Sequence, residues 1–367
     1  MNDKNILYIT RTMGIGGTEK VILQLCRAFN GEFNKIIICS TKGVHIHELN
    51  HLGIKHYEIP DFEDKSIKNI IKTFRKIVKI LNKEKIDIVH THHRMAALYT
   101  RIIRCFRPFI QIHTAHNTFY DKKMLTRLAL NNTHVVCVGK KVKENLVSYY
   151  NLDKSMISIV YNGIKKEEQK FIPIKQLEQL RKNDYFLVGN IGRLSEQKGM
   201  EYFIKAAKII KYNGVKVKFV IIGDGELDGE LKMLAKEIGV DDDVIFLGYR
   251  NDISNVIKHC DIIVLSSLWE GLPLTPIEAF MEKKTVIATK VDGTPEIVED
   301  GINGILIEPH NVEEIGNAVI NILNNPNMRK RMEKKAYETY LEKFTIKIFN
   351  EKYRKYYEDL INDDKNI

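Results

Sequence analysis

The chain has 367 residues, too many for one typical hydrophobic core and enough for two domains of roughly 150–200 residues each. With 44% hydrophobic and 28% charged residues it has a globular composition, and no apolar run approaches the roughly 20 residues of a membrane-spanning helix. Five scattered cysteines without a Cys-x-x-Cys motif argue for reduced thiols in the cytoplasm, against a disulfide framework or a zinc site. No signal peptide is predicted, because the polar N-terminus leads directly into a strand-like segment at 6–9.

The net charge of +10 is concentrated in the first half of the chain. Residues 1–164 hold 26 lysines and arginines against 13 acidic residues, whereas the remainder holds 31 against 34. A basic half attracts an anionic partner, such as an acidic membrane surface, a lipid phosphate or a nucleic acid. The alternative is a lysine-rich composition that serves only solubility.

The first half begins with a predicted strand at 6–9, a glycine-rich turn from Met13 to Glu19, and a helical run at 21–26. Glycines at a strand-to-helix corner allow close approach of the backbone to a ligand. The turn lacks the third glycine of the dinucleotide-binding fingerprint, because Glu19 stands in its place. A phosphate or sugar loop and a simple tight turn therefore both stay open.

Residues 65–85 form the clearest amphipathic helix of the chain. Apolar residues recur there at i, i+3, i+4 and i+7, and lysines and arginines fill most other positions. The pattern favours a helix that packs its apolar stripe on a sheet and exposes a basic face to solvent. A helix that lies on an anionic bilayer is the alternative.

Histidines follow two neighbouring predicted strands of the first half. One group, His90 to His93, ends the strand that begins at 86, and His113 and His116 end the next strand. Ligands of α/β sheets bind outside the carboxyl ends of the strands, so the two groups predict a site. Zinc is not expected, because no carboxylate or cysteine completes a ligand set nearby.

A charged segment with Pro173 separates the two halves, and the alternation of strands and helices restarts at 186–191. We predict three parts: an N-terminal domain at 1–164, a second domain at 165–340, and a C-terminal helical segment at 341–367. The alternation predicts an α/β protein with two doubly wound, Rossmann-like sheets and a cleft between them.

The most informative stretch is 266–279, which follows an apolar strand at 262–265. Its loop leads into a helix that is predicted to open at Pro276. A helix N-terminus suits a phosphate, and carboxylates such as Glu270 and Glu278 accept hydrogen bonds from hydroxyls. Phosphate and hydroxyls together indicate a sugar nucleotide. An acidic surface loop before an ordinary helix is the alternative.

Two cations lie in the loop after the strand at 186–191, namely Arg193 and Lys198. If this loop shares a sheet edge with the stretch at 266–279, two cations and a helix N-terminus converge on one place. A planar arginine fork and a lysine point charge suit a diphosphate.

These motifs, taken in their order, resemble the family 4 retaining glycosyltransferases, which share the two-domain GT-B fold. The resemblance covers nearly the whole chain and rests on the following short motifs: Gly-Gly-Thr-Glu at 16–19, His-Asn at 116–117, Asn-Gly at 162–163, Gly-Arg at 192–193, Lys-Gly at 198–199, the Glu270/Glu278 pair, Gly-Thr-Pro-Glu at 293–296 and Asn-Gly at 303–304. One departure is Lys283-Lys284-Thr285, where the family usually shows Gly-x-Pro, and it leaves the local turn open. The resemblance also implies an acceptor-binding domain at 1–164, a sugar-nucleotide-binding domain at 165–340, and C-terminal helices that cross back to the first domain.

The resemblance implies a role for each candidate site residue. Arg193 and Lys198 would hold and neutralise the donor diphosphate, Glu278 would bind the ribose hydroxyls, and Glu270 would contact the donor sugar. His116 would face the reacting centre from the first domain, with His113 as the alternative. Further donor contacts would come from these loop residues: Gly16, Gly17, Gly271, Leu272, Pro273, Leu274 and Thr275.

The implied activity is retaining transfer of a hexose-type sugar from a UDP- or GDP-linked donor to a hydroxyl acceptor, without a cofactor or an obligatory metal. The product would be a surface polysaccharide, a glycolipid or a cell-wall polymer. The expected location is the cytoplasm, with contact to the inner face of the membrane and a lipid-linked acceptor left open. A sugar-nucleotide epimerase on the same fold and a basic nucleic-acid-binding protein are the alternatives. No nucleic-acid motif is recognised, so no nucleic-acid partner is expected.

Overall fold

The computed structural model describes residues 1–166 and 170–365, which form two compact units. The first unit comprises Met1–Asn162 together with the C-terminal residues from Lys347 onward. The second unit comprises Gly163–Ile346. The chain thus leaves the first unit at 162–163, near the boundary placed at 165 from the sequence, and returns to it at 346–347.

The first unit contains a seven-stranded parallel sheet with the order β3-β2-β1-β4-β5-β6-β7. Its strands are β1 (Asn5–Ile9), β2 (Lys35–Ser40), β3 (Lys55–Glu58), β4 (Ile88–Thr91), β5 (Ile110–Ala115), β6 (His134–Cys137) and β7 (Ile157–Ile159). The connecting helices are α1 (Gly17–Phe29), α2 (Ile46–His51), α3 (Ile67–Lys83), α4 (Arg94–Arg104), α5 (Lys123–Leu130) and α6 (Lys140–Ser148).

Helix α3 is the amphipathic helix predicted at 65–85, and it packs most of its apolar stripe on the core. Ile77 and Leu81 are fully buried in a cluster with residues of the sheet, and Phe74 packs against that cluster. Ser66 caps the helix by accepting a hydrogen bond from the N–H of Asn69. The favoured interpretation of this helix is therefore confirmed, although its first two turns leave apolar side chains exposed.

The second unit contains a six-stranded parallel sheet with the order β10-β9-β8-β11-β12-β13. Its strands are β8 (Phe186–Ile191), β9 (Val217–Ile222), β10 (Val244–Phe246), β11 (Ile262–Leu265), β12 (Val286–Thr289) and β13 (Gly304–Ile307). Its helices are α7 (Lys175–Lys182), α8 (Met200–Tyr212), α9 (Asp228–Glu237), α10 (Ile253–His259), α11 (Leu274–Met281), α12 (Val312–Asn324) and α13 (Pro326–Thr339).

One local prediction in the second unit was wrong. Helix α11 begins at Leu274 and not at Pro276, which is the third helical residue; a proline is tolerated there because the first-turn N–H groups have no helical partner. The Gly-Thr-Pro-Glu motif contains a single 3₁₀ turn, Thr294–Glu296.

The last helix, α14 (Ile346–Lys365), belongs to the first unit from Lys347 onward, as the crossing-back prediction required. Its apolar face buries Phe349, Tyr353 and Tyr357. The ring of Tyr357 meets that of Phe29 edge to face, with centroids 5.2 Å apart. These residues of α14 are thus part of the core of the first unit.

Both sheets reverse their strand order between their first and fourth strands in sequence, β1 beside β4 and β8 beside β11. Such a reversal is called a topological switch point. It opens a crevice outside the carboxyl ends of the two strands, because the loops that follow them leave in opposite directions. The loops after β1, β4, β8 and β11 carry most of the predicted site residues. In the described part of the chain, none of the helices has the length and apolar character needed to cross a bilayer.

Candidate functional site

In the second unit, the loop after β8 and the loop after β11 are hydrogen-bonded to each other. The Ser266 hydroxyl accepts from Asn190 Nδ2 at 2.9 Å and donates to the carbonyl of Lys198 at 3.0 Å. The N–H of Leu268 donates to the carbonyl of Gln197 at 2.8 Å. These bonds fix the two switch-point loops as one wall of the crevice.

Glycines allow these loops to pack backbone on backbone. Gly199 has φ +54°, in the left-handed region, and a side chain there would collide with the carbonyl oxygen of Ser266. A side chain at Gly293 would collide with the carbonyl oxygen of Gly271, which accepts the N–H of Gly293 at 3.0 Å. The Lys-Gly and Gly-Thr-Pro-Glu motifs thus hold the loops after β8, β11 and β12 together.

Lys198 and Glu270 form the central ion pair of this wall. Lys198 Nζ lies 2.5 Å from Glu270 Oε1, and both side chains are largely buried, with 19% and 7% exposed. The Ser267 hydroxyl donates to the same carboxylate oxygen at 2.7 Å, and the N–H of Glu270 donates to Asp292 Oδ2 at 2.8 Å. Ser267 and Asp292 thus hold Glu270 in place, and the bonds from Lys198 and Ser267 both end on Oε1 of its carboxylate.

Arg193 lies in the same loop but pairs with a different carboxylate. Its side chain is 75% exposed, and Nε lies 3.4 Å from Glu226 Oε2 in the loop after β9. An exposed ion pair of this kind contributes only about 0–1 kcal/mol, so the guanidinium can exchange Glu226 for an anion at little cost. The structure therefore brings Lys198 and Glu270 into contact and leaves Arg193 at the solvent side of the loop.

The other predicted donor residues lie around the start of α11. Gly271, Leu272 and Pro273 are buried in the loop, and Leu274 and Thr275 open the helix. Thr275 Oγ1 lies 3.5 Å from the carbonyl oxygen of Ile191 at the end of β8. Glu278 is half-buried in the second turn of the helix.

Ser267 and Asp292 were missed as site residues, although Ser267 lies within the stretch at 266–279 and Asp292 directly precedes the motif at 293–296. Ser267 supports Glu270 from within the same loop, and Asp292 supports it from the loop after β12. Polar residues directly after buried strands are a general signal for such positions. Their specific partners depend on how the loops pack, which the sequence alone does not show.

In the first unit, the Gly16-Gly17 turn lies at the N-terminus of α1, as predicted. The carboxylate of Glu19 lies over Gly16, so that a side chain at Gly16 would collide with it. Burial raises the pKa of Glu19. The space above Gly16 is thus filled by the helix's own glutamate, whereas Gly17 is exposed.

The histidines at the ends of β4 and β5 form one buried polar cluster. His90 donates or accepts at both nitrogens, Nδ1 with the Tyr357 hydroxyl at 2.8 Å and Nε2 with Thr114 Oγ1 at 2.7 Å. The His92 ring stacks on His90, with centroids 4.6 Å apart. The C-terminal helix α14 is thereby linked to the two strand ends that carry the candidate site.

His92 and His116 share a hydrogen bond whose direction follows from burial. His92 Nδ1 lies 3.0 Å from His116 Nε2, while His92 Nε2 is buried without a partner among the described residues. A buried N–H without an acceptor costs about 1–3 kcal/mol, so the proton of neutral His92 belongs on Nδ1. His92 then donates, His116 Nε2 accepts, and the proton of His116 lies on Nδ1.

The structure separates the two candidate histidines of β5. His113 is buried inside the strand, with Nδ1 2.9 Å from Thr91 Oγ1, whereas His116 is partly exposed after the strand end. Burial lowers the pKa of His113 to about 3 and that of His116 to about 4, so both are neutral at pH 7. The position of His116 suits contact with a ligand better than that of His113.

The clustered histidines do not form a metal site with nearby groups. Within residues 1–166 and 170–365, no three or more histidines, cysteines or carboxylates are arranged so that they could hold a metal ion.

Two doubly wound sheets with polar loops at their switch points define a protein of the GT-B type. Residues 15–168 match the model of Glycosyltransferase Family 4, and residues 173–339 match that of Glycosyl transferases group 1. The chain belongs to this family and is a glycosyltransferase, as the resemblance of its motifs predicted.

The relatives agree with this assignment. The chain is 30% identical over 334 residues to UDP-Gal:alpha-D-GlcNAc-diphosphoundecaprenol alpha-1,3-galactosyltransferase of Escherichia coli, a match that covers 85% of this chain and 86% of that protein. A glycosyltransferase from Rickettsia africae ESF-5 has the same fold, with a TM-score of 0.84 at 22% identity, covering 98% of this chain and 99% of its own. HepE of Anabaena, solved in complex with UDP, has a TM-score of 0.84 at 18% identity, covering 97% and 100%.

Proposed function

We propose that the chain is a retaining glycosyltransferase that moves a hexose-type sugar from a nucleoside diphosphate sugar to a hydroxyl acceptor. The observation that carries this proposal is the Lys198–Glu270 pair at the switch point of the second unit, next to the loop that leads into α11. A cation and a helix N-terminus suit the diphosphate of a donor, and a carboxylate suits the hydroxyls of its sugar. HepE was solved with UDP and with UDP-glucose, which supports a UDP-sugar as the first donor to test.

The proposed chemistry places the main catalytic effect on the leaving group. Negative charge grows on the diphosphate as the glycosidic bond breaks, and a preorganised donor or cation contributes about 2.7–4 kcal/mol at such a position. Arg193 and Lys198 take this role, and Glu270 holds Lys198 in place before the donor binds. Glu270 Oε1 is occupied by Lys198 and Ser267, so Oε2 is the atom proposed to accept a hydrogen bond from the donor sugar.

Three further residues have proposed roles in the reaction. Glu278 accepts hydrogen bonds from the ribose of the donor, and Gly17, exposed at the start of α1, approaches the acceptor or the diphosphate. Neutral His116 offers Nδ1–H as a hydrogen-bond donor to the sugar. Transfer proceeds with retention at the anomeric carbon and without a resident metal or cofactor.

The acceptor is proposed to be a hydroxyl on a lipid-linked molecule at the inner face of the membrane. The Escherichia coli relative carries a diphosphoundecaprenol acceptor in its name, which supports a lipid-linked acceptor for this chain. The excess of positive charge in the first half of the chain supports an anionic binding partner for that half. The product belongs to surface polysaccharide, glycolipid or cell-wall polymer synthesis.

The proposal is tested by incubating the protein with UDP- and GDP-sugars and measuring nucleotide release, with and without lipid-linked acceptors. We expect release for one donor, stimulation by an acceptor, and no loss when a chelator is added. Glu278→Ala should abolish most of the release, whereas Glu237→Ala, an exposed carboxylate at the end of α9, should not change it.

Three results would contradict the proposal. The first is a protein that binds and turns over no sugar nucleotide, and the second is a Glu278→Ala variant as active as the Glu237→Ala variant. The third is interconversion of the sugar nucleotide without nucleotide release, which would identify an epimerase.

A further inference from the structure

The first unit exposes a compact apolar and basic surface next to its candidate site. Four large apolar side chains within ten residues are between 51% and 87% exposed, and three cations are exposed among them. We call these seven residues the α5 surface: Phe119, Tyr120, Lys122, Lys123, Met124, Arg127 and Leu128. Exposed apolar groups of this size in a cluster mark a site of interaction.

The aromatic part of the α5 surface is held outward by hydrogen bonds to its backbone. Asn145 of α6 accepts the N–H of Phe119 at 3.2 Å and donates to the carbonyl of Phe119 at 2.9 Å. The Tyr149 hydroxyl donates to the carbonyl of Tyr120 at 2.7 Å. The two rings are therefore presented to solvent by an ordered loop.

The helical part of the α5 surface has two adjacent ridges. Met124 and Leu128 stand four residues apart and form an apolar ridge, and Lys123 and Arg127 form a basic ridge beside it. The opposite face of the helix, which includes Ala129, packs into the unit. The helix thus directs apolar and cationic side chains to the same side of the protein.

The charge of the α5 surface selects the partner. Asp121 is the one acidic residue in the stretch 119–128. It is bound by the Arg94 guanidinium through two contacts of 2.8 and 3.2 Å and lies 3.8 Å from Lys122 Nζ. Within this stretch the three cations therefore outnumber the carboxylate. Apolar side chains enter the boundary between headgroups and acyl chains, and lysines and arginines are attracted by anionic lipid. We infer that the α5 surface docks the first unit on an anionic lipid bilayer.

Docking at this place would serve the proposed reaction. Phe119 follows His116 by three residues, a span of at most about 10 Å. A lipid-linked acceptor anchored in the bilayer would therefore have its hydroxyl close to the candidate site. This consequence rests on the proposed function, whereas the docking itself does not.

Helix α3 provides the matched control, because its sequence had suggested membrane contact. It also exposes two apolar side chains four residues apart, Ile67 and Ile71, among lysines. However, Glu63 and Asp64 precede it, and the rest of its apolar stripe lies in the core. If α3 were the docking element, changes at Ile67 and Ile71 would matter more than changes on α5.

The test is co-sedimentation of the full chain with vesicles of phosphatidylethanolamine and phosphatidylglycerol, and with vesicles of phosphatidylcholine alone. The wild type should pellet with the first and hardly with the second. Met124→Ser combined with Leu128→Ser should weaken pelleting about tenfold or more, and Lys123→Gln combined with Arg127→Gln about fivefold per cation at low salt. Ile67→Ser combined with Ile71→Ser should leave it unchanged. Because all these side chains are exposed, equal melting temperatures verify that the variants are folded.

Three outcomes would overturn the inference. The first is equal pelleting of the wild type with both kinds of vesicle. The second is loss of pelleting in the Ile67/Ile71 variant but not in the α5 variants. The third is a wild type that does not pellet, together with a Met124/Leu128 variant whose oligomeric state differs from that of the wild type. The last would identify a second copy of the chain as the occupant. The vesicles contain neither donor nor acceptor. The co-sedimentation result therefore does not depend on whether the release assay detects sugar transfer.

Discussion

The two switch-point crevices are built on the same sheet topology, but one is lined by charged side chains and the other by neutral imidazoles. In the second unit, the loops carry a buried ion pair, Lys198–Glu270, and an exposed arginine. In the first unit, the corresponding place is filled by neutral imidazoles, His90, His92 and His116, which burial keeps uncharged. The charged groups of the second unit can therefore neutralise an anion, whereas the imidazoles of the first unit offer oriented hydrogen bonds.

This difference separates two tasks that one fold performs in the same chain. Charged groups held by hydrogen bonds suit a diphosphate, because they need little rearrangement as charge develops. Neutral groups suit hydroxyls, which are uncharged in both donor sugar and acceptor. Changes in the second unit should therefore affect catalysis most strongly, and changes in the first unit should act through positioning and pH.

The largest effect is expected for the cations of the second unit. Arg193→Ala and Lys198→Ala should each lower kcat/KM in the nucleotide-release assay by about 10²–10³-fold, the loss of one preorganised charge contact. Arg193→Ala should leave the melting temperature nearly unchanged, because its ion pair with Glu226 is exposed. Lys205→Ala on α8, which removes a lysine paired with Glu201, is the control and should retain full activity.

The next effect is acid destabilisation of the first unit. The pKa of a histidine is about 6.5 in the unfolded chain, but burial lowers it to about 3 for His113 and about 4 for His116. The unfolded state therefore binds more protons below pH 6.5, and stability falls as the pH drops from 6.5 towards 4. At pH 5.5 each such histidine should cost about 1.4 kcal/mol of unfolding free energy.

Hydrogen exchange at pH 7.5 and pH 5.5 measures this destabilisation locally. Amides of β4 and β5 should lose protection before those of β8 and β11. Substitution of the exposed His51 by glutamine should leave the pH dependence unchanged. Equal protection of β4 and β5 at both pH values would show that the imidazole cluster accepts protons without a cost.

A smaller effect is expected from the hydrogen bond between His92 and His116. His92→Leu replaces the hydrogen-bond donor with an apolar side chain that still fills the buried position. We expect kcat to fall about tenfold, which corresponds to about 1.4 kcal/mol for one hydrogen bond. His92→Asn places an amide N–H near the Nδ1 position and should recover part of the activity, whereas His92→Gln should not. Equal kcat values for the leucine and asparagine variants would refute the positioning role.

The smallest effect concerns the turn directly after α11, whose conformation could not be predicted from the sequence. Lys283 follows α11 with φ +59°, a conformation that costs a residue with a side chain more than a glycine. Lys283→Gly should therefore stabilise the protein by up to about 1 kcal/mol, reduced by loss of the contact of Lys283 Nζ with the Tyr337 ring at 4.9 Å. A lower melting temperature would show that this contact outweighs the backbone strain.

The fold could be predicted from the sequence because buried parallel strands appear as continuous apolar runs. Strand β3, Lys-His-Tyr-Glu at 55–58, was missed because it lies at the sheet edge and carries polar side chains. Helix α5 was missed because part of its apolar residues face solvent and blur the helical period. Predictions that depend on one continuous pattern therefore succeeded, and those for edge or exposed elements did not.

The candidate site was predictable as a set of loops but not as a set of contacts. Glycines, cations and histidines after buried strands identify the positions of Lys198, Glu270 and His116. The support of Glu270 by Asp292, and of His116 by His92, arises only when separate loops pack together. No spacing in the chain encodes those distances.

The central claim is that the switch-point loops of the second unit bind the diphosphate of a nucleotide donor. Calorimetric titration of UDP or GDP, whichever binds, and of the corresponding nucleoside, into the wild type and Lys198→Ala tests it most directly. We predict that the variant loses at least tenfold in affinity for the nucleoside diphosphate and nothing for the nucleoside. An unchanged affinity for the diphosphate, or an equal loss for both ligands, would contradict the account.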